Sequence, residues 1–319
     1  MCTAISQEKF AGRNLDIERG YGEKLIITPS KFLLPFRTIE NIPVHFAFIG
    51  IGTEIEGYPL YFDAANEHGL YIAGLNYVGN AKYHSPRVSM INLAPYEIIP
   101  YILSKCRSVV EAMAEFKNIN IVNIPFSEGI PVSELHYFIA DKSSSITVEP
   151  DESGLSVYYN SVGVLTNNPP FPIQMHNLNN YAGLTCEPLT IRMSNKITFD
   201  MYSRGMGALG LPGDLSSQSR FVRAAFHKLN LMNSDTPCDI FHLLSSVEMP
   251  KGSLKLGDLY EYTAYSAVVD LEKCEYFFKT YNSLSVTRLA LSSVDKHSNS
   301  LCCFPLGSSS GAASLIDQH

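Results

Sequence analysis

Clusters of short strand-like segments, set on both sides of helical regions, constrain the fold of this chain most. Runs rich in aromatic and β-branched residues, such as Lys24–Thr28 and Leu70–Leu75, are separated by Gly, Pro and Asn. Helical spacing follows over Pro95–Ser104 and returns over Ser217–Leu231, before an alternating strand at Tyr262–Asp270. Because the apolar face of a sheet must be covered, the pattern predicts stacked sheets with helices outside them.

Composition narrows the class of protein. The 319 residues carry a formal net charge of −7, which gives no basic footprint for nucleic acid. No apolar run reaches the roughly 18 residues of a membrane-spanning helix, and the first residues lack a secretory signal pattern. We therefore expect a cytoplasmic protein that binds no membrane. We predict one domain over 1–306 and a disordered tail over 307–319, which is rich in Ser, Gly and Ala.

Cysteine usage points away from a metal site or a disulfide framework. The seven cysteines are scattered and show no C-x-x-C spacing, so we expect free thiols and no bound metal. Cys2 differs from the others because it follows Met1 directly. A small second residue permits removal of Met1, which would leave a thiol and a free α-amine on one residue. The thiolate is a nucleophile and the α-amine can act as a base near neutral pH.

Charged residues close to Cys2 could serve this chemistry. If Thr3–Ser6 and Phe10–Asn14 pair as a hairpin, Arg13 lies near the N-terminus, where its guanidinium would favour a thiolate. A carboxylate at Asp16 could orient the α-amine. The alternative is a surface ion pair worth at most about 1 kcal/mol.

Two asparagines follow predicted strands. Asn76 ends the strand Ala73–Leu75, and Asn167 follows Gly163–Leu165. Acyl transfer needs hydrogen-bond donors where the oxyanion forms, and asparagine side chains can supply them. Asparagine after a strand is also a common turn former, so the pattern alone leaves both interpretations open.

The chain resembles the choloylglycine hydrolase family of N-terminal nucleophile hydrolases, which contains bile salt hydrolases and penicillin V acylases. The resemblance runs from Cys2 to at least Val286 and depends on motifs that occur in order: Met1–Ser6, Phe10–Asp16, Asn66–Leu70, Ala73–Asn76, Leu165–Pro169, Leu211–Asp214 and Ser219–Val222. It implies an α+β fold, the four-layer αββα sandwich. It also implies that Cys2, Arg13, Asp16, Asn76, Asn167 and Arg220 match the family's catalytic positions.

The activity implied by the resemblance is hydrolysis of the amide bond between a bile acid and glycine or taurine, without a cofactor. An asparagine at the position of Asn76 is typical of bile salt hydrolases, whereas some penicillin V acylases carry tyrosine there. The alternatives are an acylase for penicillin V or N-acyl homoserine lactones and an inactive member that binds bile acids. The resemblance further implies a homotetramer.

An apolar pocket is expected for the body of the substrate. Candidate lining residues lie in segments close to the motifs: Leu15, Ile17, Tyr21, Phe62, Ala64, Phe126 and Ile130. Each of these is also a credible core residue.

Overall fold

The computed structural model describes residues 1–189 and 193–306, most of them in strands and connecting loops. In chain order its strands are β1 (Cys2–Gln7), β2 (Phe10–Ile17), β3 (Lys24–Thr28), β4 (Phe48–Ile55), β5 (Tyr58–Asn66), β6 (Tyr71–Asn76), β7 (Ile91–Leu93), β8 (Ile119–Ile121), β9 (Leu135–Ala140), β10 (Ser145–Asp151), β11 (Gly154–Tyr159), β12 (Val164–Leu165), β13 (Leu254–Leu256), β14 (Leu259–Asp270), β15 (Glu275–Thr280), β16 (Ser283–Ala290) and β17 (Cys302–Pro305). The α-helices are α1 (Ile98–Lys105), α2 (Val109–Phe116), α3 (Phe171–Asn177), α4 (Ser217–Leu229) and α5 (Pro237–Ser245). The predicted tail over 307–319 lies outside the described residues.

The strands form two large antiparallel sheets. The first has the order β12-β1-β2-β14-β15-β16, with β13 attached to β14. The second has the order β11-β10-β9-β6-β5-β4-β3-β17, and a short parallel pair joins β7 to β8. The N-terminal hairpin β1–β2 therefore lies in the interior of the first sheet, with a strand hydrogen-bonded on each side.

Helices cover the outer face of each sheet. One apolar cluster joins the facing sides of the two sheets and continues to α4 and α5, which pack on the first sheet. A second cluster fills the space between the second sheet and the helices α1 and α2. The layer order is thus helices, sheet, sheet, helices, which confirms the predicted αββα arrangement. Within the described ranges, no helix combines the length and apolar character needed to cross a membrane.

Helix α4 shows where the sequence pattern succeeds and where it fails. The Ser216 side chain caps the helix by accepting a hydrogen bond from the Ser219 nitrogen at 3.4 Å. The helical spacing predicts an apolar face of Phe221, Ala225, Phe226 and Leu229. Phe221 and Ala225 are buried, but Leu229 is 64 % exposed. The prediction for Leu229 is wrong because the last turn of the helix extends beyond the cluster that buries its first three turns.

Strand β2 contains several fully buried polar and charged side chains. Arg13, Asn14 and Asp16 have no exposed surface, although charged side chains are rarely fully buried without partners. Burying a charge costs free energy unless other groups bind it. The groups that bind these side chains therefore mark the region where a functional site is expected.

Candidate active site

The N-terminal hairpin brings a cation to the Cys2 sulfur. Strands β1 and β2 pair in the register Cys2–Leu15 and Ala4–Arg13, as the sequence predicts. Arg13 Nη2 donates to Cys2 Sγ at 2.7 Å, with both side chains buried. A guanidinium at this distance stabilises the thiolate over the thiol.

Carbonyl groups of the second sheet hold Arg13 in place. Its Nη1 atom donates to Phe62 O at 2.7 Å and to Gly74 O at 2.9 Å. The register of β4 with β5 shifts between the pairs Ile51–Asp63 and Gly52–Tyr61, so Phe62 is the extra residue of a β-bulge. Because a bulged residue is not paired in the ladder, the Phe62 carbonyl is free to accept from Arg13.

Asp16 lies on the same strand with one oxygen engaged and one open. Its Oδ1 atom accepts from the Thr263 hydroxyl at 2.6 Å. Its Oδ2 atom is 3.8 Å from Arg220 Nη1 and, among the described residues, accepts no hydrogen bond. Burial raises the pKa of Asp16, and the neighbouring Arg220 opposes that shift. An unsatisfied buried carboxylate oxygen is costly, so this atom is suited to a further donor.

Asn167 and Arg220 surround the main chain of Cys2. The Cys2 nitrogen donates to Asn167 Oδ1 at 2.8 Å, and Arg220 Nη2 donates to the same oxygen at 2.8 Å. Arg220 Nη1 also donates to Cys2 O at 2.6 Å. Asn167 Nδ2 donates to Asn76 O at 2.7 Å. The structure therefore brings together all six residues selected from the sequence: Cys2, Arg13, Asp16, Asn76, Asn167 and Arg220.

Asn76 occupies the last position of β6. Its side chain is exposed, whereas the rest of the strand is buried, and its carbonyl is fixed by Asn167. The side-chain amide of Asn76 is therefore a donor at the edge of the site, and the strand end that carries it is held in place.

Met1 occupies the space beside Asp16 in this chain. Its amine donates to Asp16 O at 2.7 Å and forms an ion pair with Glu261. As long as Met1 is attached, the Cys2 nitrogen is a peptide nitrogen, which can donate a hydrogen bond but cannot act as a base.

A buried pair, His136 and Glu149, lies behind Asn167. The sequence gives no sign of this pair, because a lone histidine in a strand is by itself best interpreted as structural. One His136 ring nitrogen lies 3.2 Å from Glu149 Oε1 and the other lies 2.9 Å from Thr166 O. Tyr77 stacks on the ring at a centroid distance of 4.4 Å. Glu149 also accepts from the Phe171 nitrogen at 2.9 Å. These contacts fix the strand ends that carry Asn76 and Asn167.

Replacing His136 with alanine should destabilise the fold by about 3 kcal/mol, since it removes a hydrogen-bond partner from each of the buried groups Glu149 Oε1 and Thr166 O and leaves a cavity between them. Urea denaturation followed by circular dichroism measures the change. His227→Ala is the matched control, because this half-buried histidine of α4 should cost less than about 1 kcal/mol. Equal losses in the two variants would contradict a special role for His136.

The predicted apolar lining residues fall into separate groups. Leu15 and Ile17 lie in the same apolar cluster as Cys2. The Tyr21 ring meets the Phe62 ring edge-to-face at 6.4 Å, and Tyr21 is 46 % exposed. Phe62 thus connects an exposed aromatic surface to the carbonyl that holds Arg13.

The remaining three candidates lie elsewhere. Phe126 and Ile130 form a small cluster with Tyr58 and Leu60 of β5. Ala64 is fully buried in the cluster against α1 and α2, so its selection as a pocket residue is corrected. A regular strand would place residues 62 and 64 on one face, but the bulge at Phe62 turns their side chains to opposite faces.

Comparison with known proteins agrees with this geometry. Residues 2–304 match the family described as linear amide C–N hydrolases, choloylglycine hydrolase family. A bile salt hydrolase/transferase of Lactiplantibacillus plantarum is 46 % identical over 316 residues, which cover 97 % of this chain and 98 % of that protein.

Solved structures give the same result. A conjugated bile acid hydrolase variant from Clostridium perfringens has a TM-score of 0.91 and 32 % identity, covering 96 % of this chain and 97 % of that one. The penicillin V acylase from Agrobacterium tumefaciens shares the fold, with a TM-score of 0.73 and 20 % identity over 96 % of this chain and 92 % of that one. The chain belongs to the choloylglycine hydrolase family of linear amide C–N hydrolases.

Proposed function

We propose that this chain hydrolyses the amide bond of bile acids conjugated to glycine or taurine, with Cys2 as the nucleophile. The observation that carries the proposal is the buried contact between Arg13 Nη2 and Cys2 Sγ at 2.7 Å, set among Asp16, Asn167 and Arg220. The similarity to the Lactiplantibacillus plantarum bile salt hydrolase/transferase supports the substrate class.

Removal of Met1 is the first step of the proposed mechanism. The freed Cys2 amine would keep the position of the Cys2 nitrogen, which lies 2.8 Å from Asn167 Oδ1. Asp16 Oδ2, which has no hydrogen-bond donor in the described residues, would then bind this amine. A proton passes from the thiol to the amine, and Arg13 holds the resulting thiolate.

Acylation forms the bond between Cys2 Sγ and the substrate carbonyl carbon. The carbonyl electrons move onto the oxygen, where the side-chain amide of Asn76 donates, assisted by Asn167. When the oxyanion collapses, the C–N bond breaks, and the leaving glycine or taurine nitrogen takes a proton from the Cys2 ammonium group. The products of this half-reaction are a thioester and a free amine.

Deacylation uses the same groups in reverse order. The neutral Cys2 amine accepts a proton from a water molecule as that water attacks the thioester carbonyl. Collapse of the second oxyanion breaks the C–S bond, which releases the bile acid and restores the thiolate beside Arg13. Every proton is carried by water, the amine or the leaving group.

A side-by-side assay tests the substrate class. We expect purified protein, kept reduced, to release amine from glycocholate and taurocholate at least about tenfold faster than from penicillin V. This ratio corresponds to a difference of about 1.4 kcal/mol in the free energy of the transition state. Amine release is followed with a fluorogenic amine reagent, and a Cys2→Ala protein gives the background.

Each other outcome of this assay has a defined meaning. Preference for penicillin V, or for an N-acyl homoserine lactone included as a fourth substrate, would assign the chain to acylases with the same catalytic groups. Binding of bile salts without release of amine, in protein whose intact mass shows that Met1 is absent, would indicate an inactive binding member of the family.

Assembly and location belong to the same proposal. We propose a cytoplasmic homotetramer. Several apolar side chains are exposed in one segment, with Met193 87 %, Tyr202 82 % and Leu209 60 % accessible, and exposed apolar patches often mark interfaces between subunits. All seven cysteines are free, which suits a reducing compartment. Light scattering during size-exclusion chromatography measures the mass of the assembly, and cell fractionation measures the location.

A further inference from the structure

A buried carboxylate that the proposed mechanism does not use lies between the two sheets. Asp63 of β5 is fully buried. Its Oδ1 atom accepts from the Tyr265 hydroxyl at 2.6 Å. Its Oδ2 atom accepts from the Tyr276 hydroxyl at 2.5 Å and from the Tyr71 hydroxyl at 3.2 Å. Three phenol donors around one aspartate form a site built to hold a carboxylate.

Asp63 and Arg13 cross the space between the sheets in opposite directions. Arg13 extends from the first sheet and binds Phe62 O of the second sheet, at the residue directly before Asp63. Asp63 extends from the second sheet and binds Tyr265 and Tyr276 of the first. Each sheet thus supplies one charge and holds the charge that the other sheet supplies.

Arg13 and Asp63 influence each other's ionisation. Burial by itself would lower the pKa of Arg13, but Cys2, Tyr265 and Asp63 raise it above its ordinary value. Burial raises the pKa of Asp63, and Arg13 and the three phenols oppose that shift. The tyrosine pKa values are raised well above the ordinary value, first by burial and then by Asp63, so the phenols stay protonated and donate.

Arg13 needs a second anion because the charge on the Cys2 sulfur changes during the proposed reaction. In the resting site of the proposed mechanism, the negative charge of the Cys2 thiolate compensates Arg13. When Cys2 becomes a thioester its sulfur carries no charge, and a fully buried guanidinium would remain without a counter-charge, which is costly. We propose that Asp63, held by Tyr71, Tyr265 and Tyr276, is the permanent counter-charge of Arg13 and compensates the buried guanidinium in the acylated state.

This inference rests on the proposed function for the thioester, but its test does not depend on the substrate. Asp63 acts through Arg13, and its negative charge offsets part of the positive charge that favours the Cys2 thiolate. Asp63→Asn should therefore shift the midpoint of Cys2 thiolate formation to lower pH by about 1 unit. Loss of packing that moved Arg13 away from Sγ would shift the midpoint to higher pH, so the two roles predict opposite signs.

The titration measures the rate of Cys2 alkylation by iodoacetamide against pH, with peptide mass spectrometry to separate Cys2 from the other six cysteines. Other charged or titratable groups face Cys2 and stay unchanged in the variant: Arg13, Asp16, Arg220, Tyr71 and the N-terminal amine. Tyr137→Phe is the matched control, because Tyr137 is equally buried and donates to Pro95 O at 2.8 Å in the apolar cluster under α1 and α2, on the other side of the second sheet from Tyr265 and Tyr276. Its midpoint should equal that of the wild type.

A second variant covers the case in which Asp63→Asn does not fold. Tyr276→Phe keeps the carboxylate and removes its shortest hydrogen bond, which weakens ionisation of Asp63. We expect a smaller shift of the Cys2 midpoint in the same direction. An unchanged or higher midpoint in the folded variants would overturn the proposal. Such a result would not affect the proposed hydrolysis of bile salts. Conversely, if the protein releases no amine from bile salts, the Cys2 titration still tests the role of Asp63.

Discussion

A Cys2→Ser protein will fold normally and lose nearly all amide hydrolysis. The substitution exchanges sulfur for oxygen in a side chain that is 3 % exposed, so the packing of β1 changes little. A serine hydroxyl stays protonated near pH 7, and Arg13 then faces a neutral, weak nucleophile in place of a thiolate. Loss of the nucleophile in a comparable catalytic unit costs about a millionfold in kcat, and we expect a loss of at least roughly a thousandfold.

The measurement compares kcat/KM for glycocholate in the wild type, Cys2→Ser and Cys186→Ser. Cys186 is exposed and lies outside the site, so this control should keep full activity. Serine is also small at position 2, which leaves removal of Met1 unaffected and isolates the effect of the nucleophile. Turnover close to that of the wild type would exclude Cys2 as the attacking group.

Local pairing could be predicted from the sequence because the interacting residues are close in the chain. Thr3–Ser6 and Phe10–Asn14 are separated by a short turn, and their pairing alone carries Arg13 to Cys2. Helix α4 could be predicted for the same reason, since the capping residue Ser216 and the apolar spacing are local signals. The contribution of Asn76, Asn167 and Arg220 was reached by the family resemblance, because no local pattern links them.

The parts that could not be predicted depend on contacts between distant strands. Asp63 meets Tyr265 and Tyr276 only after the two sheets stack, and an aspartate in an apolar strand gives no indication of its partners. The glycine at the Phe62 bulge, Gly52, lies on the partner strand β4 rather than beside Phe62 in the chain, so the opposite orientation of Ala64 could not be predicted either. The residue type of His136 likewise gives no indication of its partner, Glu149 of the neighbouring strand β10.

Keeping a residue attached to the Cys2 nitrogen will abolish hydrolysis even though every catalytic side chain remains. In the chain with Met1 in place, the Cys2 nitrogen already donates to Asn167 Oδ1 at 2.8 Å as a peptide group. A peptide nitrogen has no available lone pair, so it can neither take the thiol proton nor protonate the leaving amine. General acid–base catalysis contributes roughly 10²- to 10⁴-fold, and we expect a loss of about a thousandfold.

One protein preparation can test this prediction with itself as control. A site-specific protease sequence placed directly before Cys2 blocks the amine, and cleavage at that site leaves Cys2 as the first residue. Amine release from glycocholate, measured before and after cleavage and matched to the intact mass, should rise with the fraction that begins at Cys2. Asp16 Oδ2 has no hydrogen-bond donor in the described residues while Met1 is attached, so it is free to bind the new amine after cleavage. If it orients that amine, cleavage of the Asp16→Asn protein should produce no increase in amine release. Full activity before cleavage would show that another group acts as the base, and His136 would be excluded from that role because both of its ring nitrogens are engaged by Glu149 and Thr166.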